Sequence, residues 1–201
     1  MDASLSEEKH LINTARLLYT SGLNKSCQAV LAARNGERDV IFVTAAKSDF
    51  KSIDYQDLHL VSLTGDTAEE ASPEELPGNL NYYLKVFEDR LDVAALAHLY
   101  PPCATIFADK AQLYELSQNP AHAPVREFIK VECRECPSRF TGLCSCRSDI
   151  RKSYTGADAL LIKEDGIIVL AADLDSLYHK VESLEWSAQK HLSSDFFKPI
   201  C

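Results

Sequence analysis

Apolar residues recur at helical spacing near the start of the chain, at Leu11, Ile12, Ala15, Leu18 and Tyr19, and Gly22 closes the run. This predicts a first helix with Ser4 or Ser6 as its cap and Glu7 and Glu8 near its positive end. The pattern then changes to short apolar runs. Residues 29–33 and 39–44 read as strands around Asn35-Gly36, a strong hairpin signal. Residues 53–58 read as a helical turn and 58–63 as a third strand. An acidic, proline-containing loop follows over 66–79, then a helix over 81–89 with Tyr82, Tyr83, Val86 and Phe87 on its buried side. The compact apolar run 93–98 is a central strand, broken by Pro101-Pro102. Short helices are predicted over 103–108 and 110–117, a strand over 128–131, and a helix over 148–154. Strands over 159–163 and 167–170 meet at the tight turn Glu-Asp-Gly. Asp173 or Asp175 caps a last long helix with Leu177, Val181, Leu184, Trp186 and Ala188 as its apolar residues, ahead of a docked or frayed tail from 195. This order predicts one α/β domain over 1–201, a largely antiparallel sheet covered by helices.

The 201 residues are enough for one substantial core, and 46% are hydrophobic, which fits a folded globular chain. A net charge of −9 argues against general nucleic-acid binding. No apolar stretch approaches the roughly 20 residues of a membrane span, and the start lacks the basic and apolar segments of a signal peptide. A cytoplasmic location is therefore expected, where thiols stay reduced.

That matters because four of the seven cysteines fall within fourteen residues, as Cys133, Cys136, Cys144 and Cys146. Their spacing is C-x2-C-x7-C-x-C, with Gly142 allowing a turn between the pairs. Two close pairs of thiolates can converge on zinc or on an iron–sulfur cluster of the 4Fe–4S type, and the spacing does not choose between them. Two disulfides or four separate thiols are the plainer alternatives, although the odd seventh cysteine fits a disulfide framework poorly. From Arg126 to Lys152 seven basic residues face four acidic ones, a local excess that would compensate a thiolate-bound centre. Cys27 and Cys201 read as unconnected thiols.

Several phrases, in order, resemble the class II aldolase/adducin family. Leu17-Leu-Tyr-Thr-Ser-Gly-Leu23 is similar to its first helix and following glycine. Ile41-Phe-Val-Thr and the segment from Ile53 to Gly65 resemble its strand, aspartate-leucine turn and next strand. Leu91-Asp-Val-Ala-Ala-Leu-Ala-His98-Leu-Tyr-Pro-Pro-Cys-Ala-Thr105 resembles the stretch that ends in His-x-His-Pro. Ala157 to Gly166 resembles the closing strand and histidine-glycine turn. The resemblance implies a three-layer α/β/α domain, homo-oligomeric assembly, and small carbonyl or sugar-phosphate ligands. In the enzymes three histidines hold a divalent metal, usually zinc, and a glutamate moves the proton.

At those positions this chain has His98, then Tyr100 in place of the second histidine and Asp165 in place of the third. The glutamate position falls at or near Asn79, which cannot act as a base. The phosphate loop aligns with Gln28-Ala29-Val30, and a second phosphate-contacting segment with Thr44-Ala-Ala-Lys47. His98, Tyr100 and Asp165 are thus the candidates for a remnant catalytic or metal site. The plainer reading makes His98 a core histidine satisfied by a backbone group. By fold analogy, the strand before Cys133 runs toward this old site. Three functional readings follow. One is a family member that carries zinc or a cluster on its cysteines without the usual aldolase activity. Another is a lyase or isomerase with a rebuilt site, and a third is a non-catalytic interaction module of adducin type.

Overall fold

The computed structural model describes residues 3–36, 39–67, 72, 74–109, 128–131, 154, 157–162 and 165–196. The four cysteines 133, 136, 144 and 146, Cys201, the helix expected over 110–117 and all but Tyr154 of the helix expected over 148–154 lie outside the described residues.

Among the described residues seven strands make one sheet: β1 (Val30–Arg34), β2 (Val40–Thr44), β3 (Leu58–Ser62), β4 (Ala95–Leu99), β5 (Phe128–Val131), β6 (Ala159–Ile162) and β7 (Gly166–Ala171), in the order β3-β2-β1-β4-β7-β6-β5. Every neighbouring pair is antiparallel except β5 with β6. The sheet is therefore largely antiparallel, as the pattern predicted, and the apolar run before Pro101 forms its middle strand. All five residues of β4 are buried. Such a strand needs cover on both faces, and helices supply it.

On one face pack α1 (Ala3–Thr20), α3 (Pro102–Asp109) and α4 (Leu174–Phe196), through Leu11, Leu18, Phe107, Leu177 and Val181 against Leu31, Ala97, Leu99 and Val169. On the other lies α2 (Leu80–Asp89), where Tyr83, Val86 and Phe87 meet Val30, Leu96, Ile168 and Leu170. Alternate strand residues feed alternate cores, as the pleat requires. Among the described residues no helix is long and apolar enough to cross a membrane.

Two local expectations are corrected. Ser4 and Ser6 lie inside α1 rather than capping it. Helix once nucleated propagates cheaply, and the buried stripe of Leu11, Ala15 and Leu18 anchors it. Trp186 is not a core residue: it is 57% exposed, with the Lys190 ammonium 5.3 Å from its ring centroid. The buried stripe of α4 runs through Leu177, Val181, Leu184 and Ala188, and Trp186 projects from another side. Asp173 does cap this helix, accepting from the Ser176 N–H at 2.6 Å. Glu185 of α4 caps a second helix from outside, because its two carboxylate oxygens accept from the N–H groups of Cys103 (2.9 Å) and Ala104 (2.8 Å) in the first turn of α3. Glu185→Ala should lower the unfolding free energy by about 1–2 kcal/mol in urea titrations, the usual worth of a lost cap.

The sheet end carrying the Asn35-Gly36 hairpin is fastened by charge. Arg90, just after α2, gives Nη1 hydrogen bonds to the carbonyls of Tyr154 (2.6 Å) and Ala157 (2.9 Å) and pairs with Asp92. Asp158, at the start of β6, lies 3.2 Å from the Lys180 ammonium of α4 and 4.0 Å from the Arg90 guanidinium.

Candidate functional site

The strand directions gather the aligned positions at the opposite end of the sheet. Val30 at the start of β1 faces His98, Leu99 faces Ile167, and Gly166 faces Ile162. Thr44 closes β2 at the same end, since β2 runs antiparallel to β1. Val131 pairs with Ile162, so β5 also ends there.

Two glycine-like features shape this edge. Gly166 has φ +77°, and a Cβ placed on it would stand 2.3 Å from the Leu99 carbonyl oxygen and 2.9 Å from Tyr100. Only glycine lets the β6–β7 turn approach β4 this closely. Lys47, in the segment aligned with the second phosphate contact, is an exposed lysine at φ +64°. Thr44 of that segment is fully buried, with Oγ1 accepting from the Leu31 N–H at 3.1 Å.

His98 and Tyr100 come together with Asp165, which lies more than sixty residues further along the chain. His98 is 2% exposed. Its Nε2 lies 2.7 Å from the backbone carbonyl of Asp165, and its Nδ1 lies 2.7 Å from the hydroxyl of Tyr83. Tyr100 stacks on the imidazole with ring centroids 5.4 Å apart and donates its hydroxyl to Asp165 Oδ1 at 3.0 Å. Asp165 Oδ2 is buried without a hydrogen-bond partner among the described residues and stands 3.9 Å from His98 Nε2. The carbonyl, at true hydrogen-bond distance, is the partner that matters for that nitrogen.

Burial sets the ionisation of these groups. It pushes the Tyr100 phenol well above its usual range, helped by the charge of Asp165. It also raises the Asp165 carboxyl, against the opposing pull of the Tyr100 hydroxyl. Tyr83 is raised most firmly by burial, against the opposing influence of the nearby Asn79 side chain. Asn79 is the N-cap residue of α2, yet its side chain makes no cap bond to its own helix.

A divalent metal does not fit this arrangement. A carbonyl only accepts, so the imidazole nitrogen facing it carries a proton and offers no lone pair. The other nitrogen is engaged by Tyr83. Tyr100 keeps its phenol proton at neutral pH and directs it to Asp165. Among the described residues no group of three or more His, Cys, Asp or Glu side chains is arranged to hold a metal ion. The plainer expectation for His98, a buried histidine satisfied by a backbone group, matches this geometry.

Tyr83 is the residue that the hydrophobic pattern concealed. Its place on the buried side of α2 marked it as core, and it is 1% exposed, but its hydroxyl serves His98. The apolar periodicity carries no signal for that role.

The profile of the class II aldolase and adducin N-terminal domain matches residues 9–192. The chain belongs to this family. An L-fuculose phosphate aldolase of Methanococcus maripaludis (strain C7) is similar over 182 residues at 25% identity, covering 90% of this chain and 89% of that one. Among solved structures, the sugar-phosphate aldolase of Thermotoga maritima superposes with a TM-score of 0.74 at 17% identity, covering 96% of this chain and 97% of the other. The L-fuculose 1-phosphate aldolase of Glaciozyma antarctica PI12 gives 0.77 at 14% identity, covering 98% and 76%. At such identities the two structures share the class II aldolase fold with this chain, and its chemistry has to be argued from its own residues.

Proposed function

We propose that this class II aldolase-family chain is one domain whose inorganic centre, zinc or a 4Fe–4S cluster, is held by Cys133, Cys136, Cys144 and Cys146, and that it lacks the aldol cleavage of its relatives. One observation carries the second half: the histidine left at the family's metal positions has both ring nitrogens occupied by protein groups. The spacing of the cysteines carries the first half. The course of β5 supports placing the two near each other. Its last residue, Val131, ends at the same edge as the His98 site, two residues before Cys133. A homo-oligomer of cytoplasmic location completes the reading.

Elemental analysis and an absorbance spectrum of anaerobically purified protein test it. Brown protein with iron and sulfide identifies a cluster, and colourless protein with one equivalent of zinc identifies a structural site. Protein without metal whose cysteines all react freely with a thiol reagent sinks the proposal. Cys136→Ser and Cys144→Ser should each remove most of the bound metal and lower the melting temperature, because each deletes one of four ligands and binding is coupled to folding.

The meeting of His98, Tyr100 and Asp165 at one edge favours a second reading, a lyase or isomerase for a small carbonyl or sugar-phosphate compound. The names of the aldolase relatives point the same way. Deuterium uptake into dihydroxyacetone phosphate, catalysed by the protein and lost in Asp165→Asn, would establish it. No uptake would leave the scaffold reading alone.

A further inference from the structure

The bonds around His98 run in one direction, and that direction has a consequence for the ring. The Asp165 carbonyl can only accept, so Nε2 donates to it across 2.7 Å. The Nδ1 lone pair then faces the Tyr83 hydroxyl, also at 2.7 Å. Tyr83 can fill that place only as a donor, and its buried phenol keeps the proton it needs. Tyr83 thus gives to His98, and His98 to the backbone of Asp165.

We propose that Tyr83 is a positioning residue that holds His98 as its neutral Nε2–H tautomer, turning the inherited metal histidine into a tie between β4 and the β6–β7 turn. The polarity is the reverse of what a metal site uses. A histidine bound to a metal donates its other ring N–H to an acceptor, which leaves a lone pair for the ion. Here the other nitrogen receives a hydrogen bond instead. To place a lone pair at Nε2, the proton would have to move to Nδ1. Tyr83 would then have to turn its hydroxyl proton away and find a new acceptor for it in a buried site. The ring cannot swing aside to escape, since Tyr100 stacks on it and Tyr83 meets it edge-on with centroids 6.1 Å apart.

This inference rests on the reading of His98 in the proposed function, but not on the four cysteines. The test is a long-range proton–nitrogen spectrum of histidine-labelled protein, recorded before and after addition of excess zinc, with His98 identified through its contacts to the Tyr83 and Tyr100 rings. The expected result is a single Nε2–H tautomer whose proton exchanges slowly and which zinc leaves unchanged. In Tyr83→Phe the Nδ1 resonance should shift strongly while the Nε2–H signal persists. An Nδ1–H tautomer, a doubly protonated ring, or loss of the Nε2–H signal on adding zinc would each overturn the proposal. If Tyr83→Phe does not fold, the parent spectra with and without zinc decide by themselves. Zinc uptake is followed separately by competition with a coloured chelator. Uptake with an unchanged His98 is the expected pairing, whereas failure of uptake bears on the cysteine reading and leaves the tautomer readable.

Discussion

Gly166→Ala should lower the unfolding free energy by about 3 kcal/mol or more in urea titrations, or prevent folding altogether. Two effects combine. A left-handed backbone at φ +77° strains any residue with a Cβ, by about 1 kcal/mol or more. The Cβ would also stand 2.3 Å from the Leu99 carbonyl oxygen, which belongs to the middle strand of the sheet and is not the free end of a side chain. Relief requires the turn to lift from β4, opening the pairing of Leu99 with Ile167 and carrying the Asp165 carbonyl away from His98. Gly78→Ala is the control, because nothing lies within 4 Å of a Cβ there. It should stay within about 0.5 kcal/mol of the parent, as surface changes usually do. Equal stability of both variants would mean that the turn lies farther from β4 than described.

His98→Ala should cost about 3–5 kcal/mol and leave the metal content unchanged. The imidazole is fully packed, so its removal opens a cavity between Tyr83 and Tyr100. It also deprives two polar groups of their partners, the buried Tyr83 hydroxyl and the Asp165 carbonyl, at about 1–3 kcal/mol for a group that finds no other. The expectation can be separated from simple loss of packing by a double-mutant cycle. Tyr83→Phe should be clearly destabilising in the parent, where it strands the Nδ1 lone pair, and nearly neutral once His98 is alanine. Additive effects would remove the hydrogen bond from the account. A large loss of bound metal in His98→Ala would restore the inherited site.

What the chain revealed before folding depended on how local each signal was. Asn35-Gly36 marked its hairpin because both residue types tolerate a left-handed backbone, and Gly36 has φ +61°. The run ending at His98 announced a middle strand because burial on both faces leaves no polar alternation. Asp165-Gly166 was readable as a turn for the same local reason. Trp186 misled, since an aromatic residue near a helical stripe looks buried until the neighbouring elements define which side they cover. The site was legible in part. His98, Tyr100 and Asp165 were named from a resemblance, and the strand order brings them together. The service of Tyr83 to His98 could not be read from the chain. It depends on how α2 lies over β4, and no periodicity encodes that.

Asp158 is gripped from above and below. Lys180 reaches it from the layer of α4, and Arg90 from the layer of α2, at the rim of the sheet farthest from His98. Such a rivet joins both helical covers to one strand without help from the other rim. Residues around His98 can accordingly be exchanged for new ones while the sandwich stays bolted together, which is how a catalytic edge can be emptied of its chemistry and keep its outline.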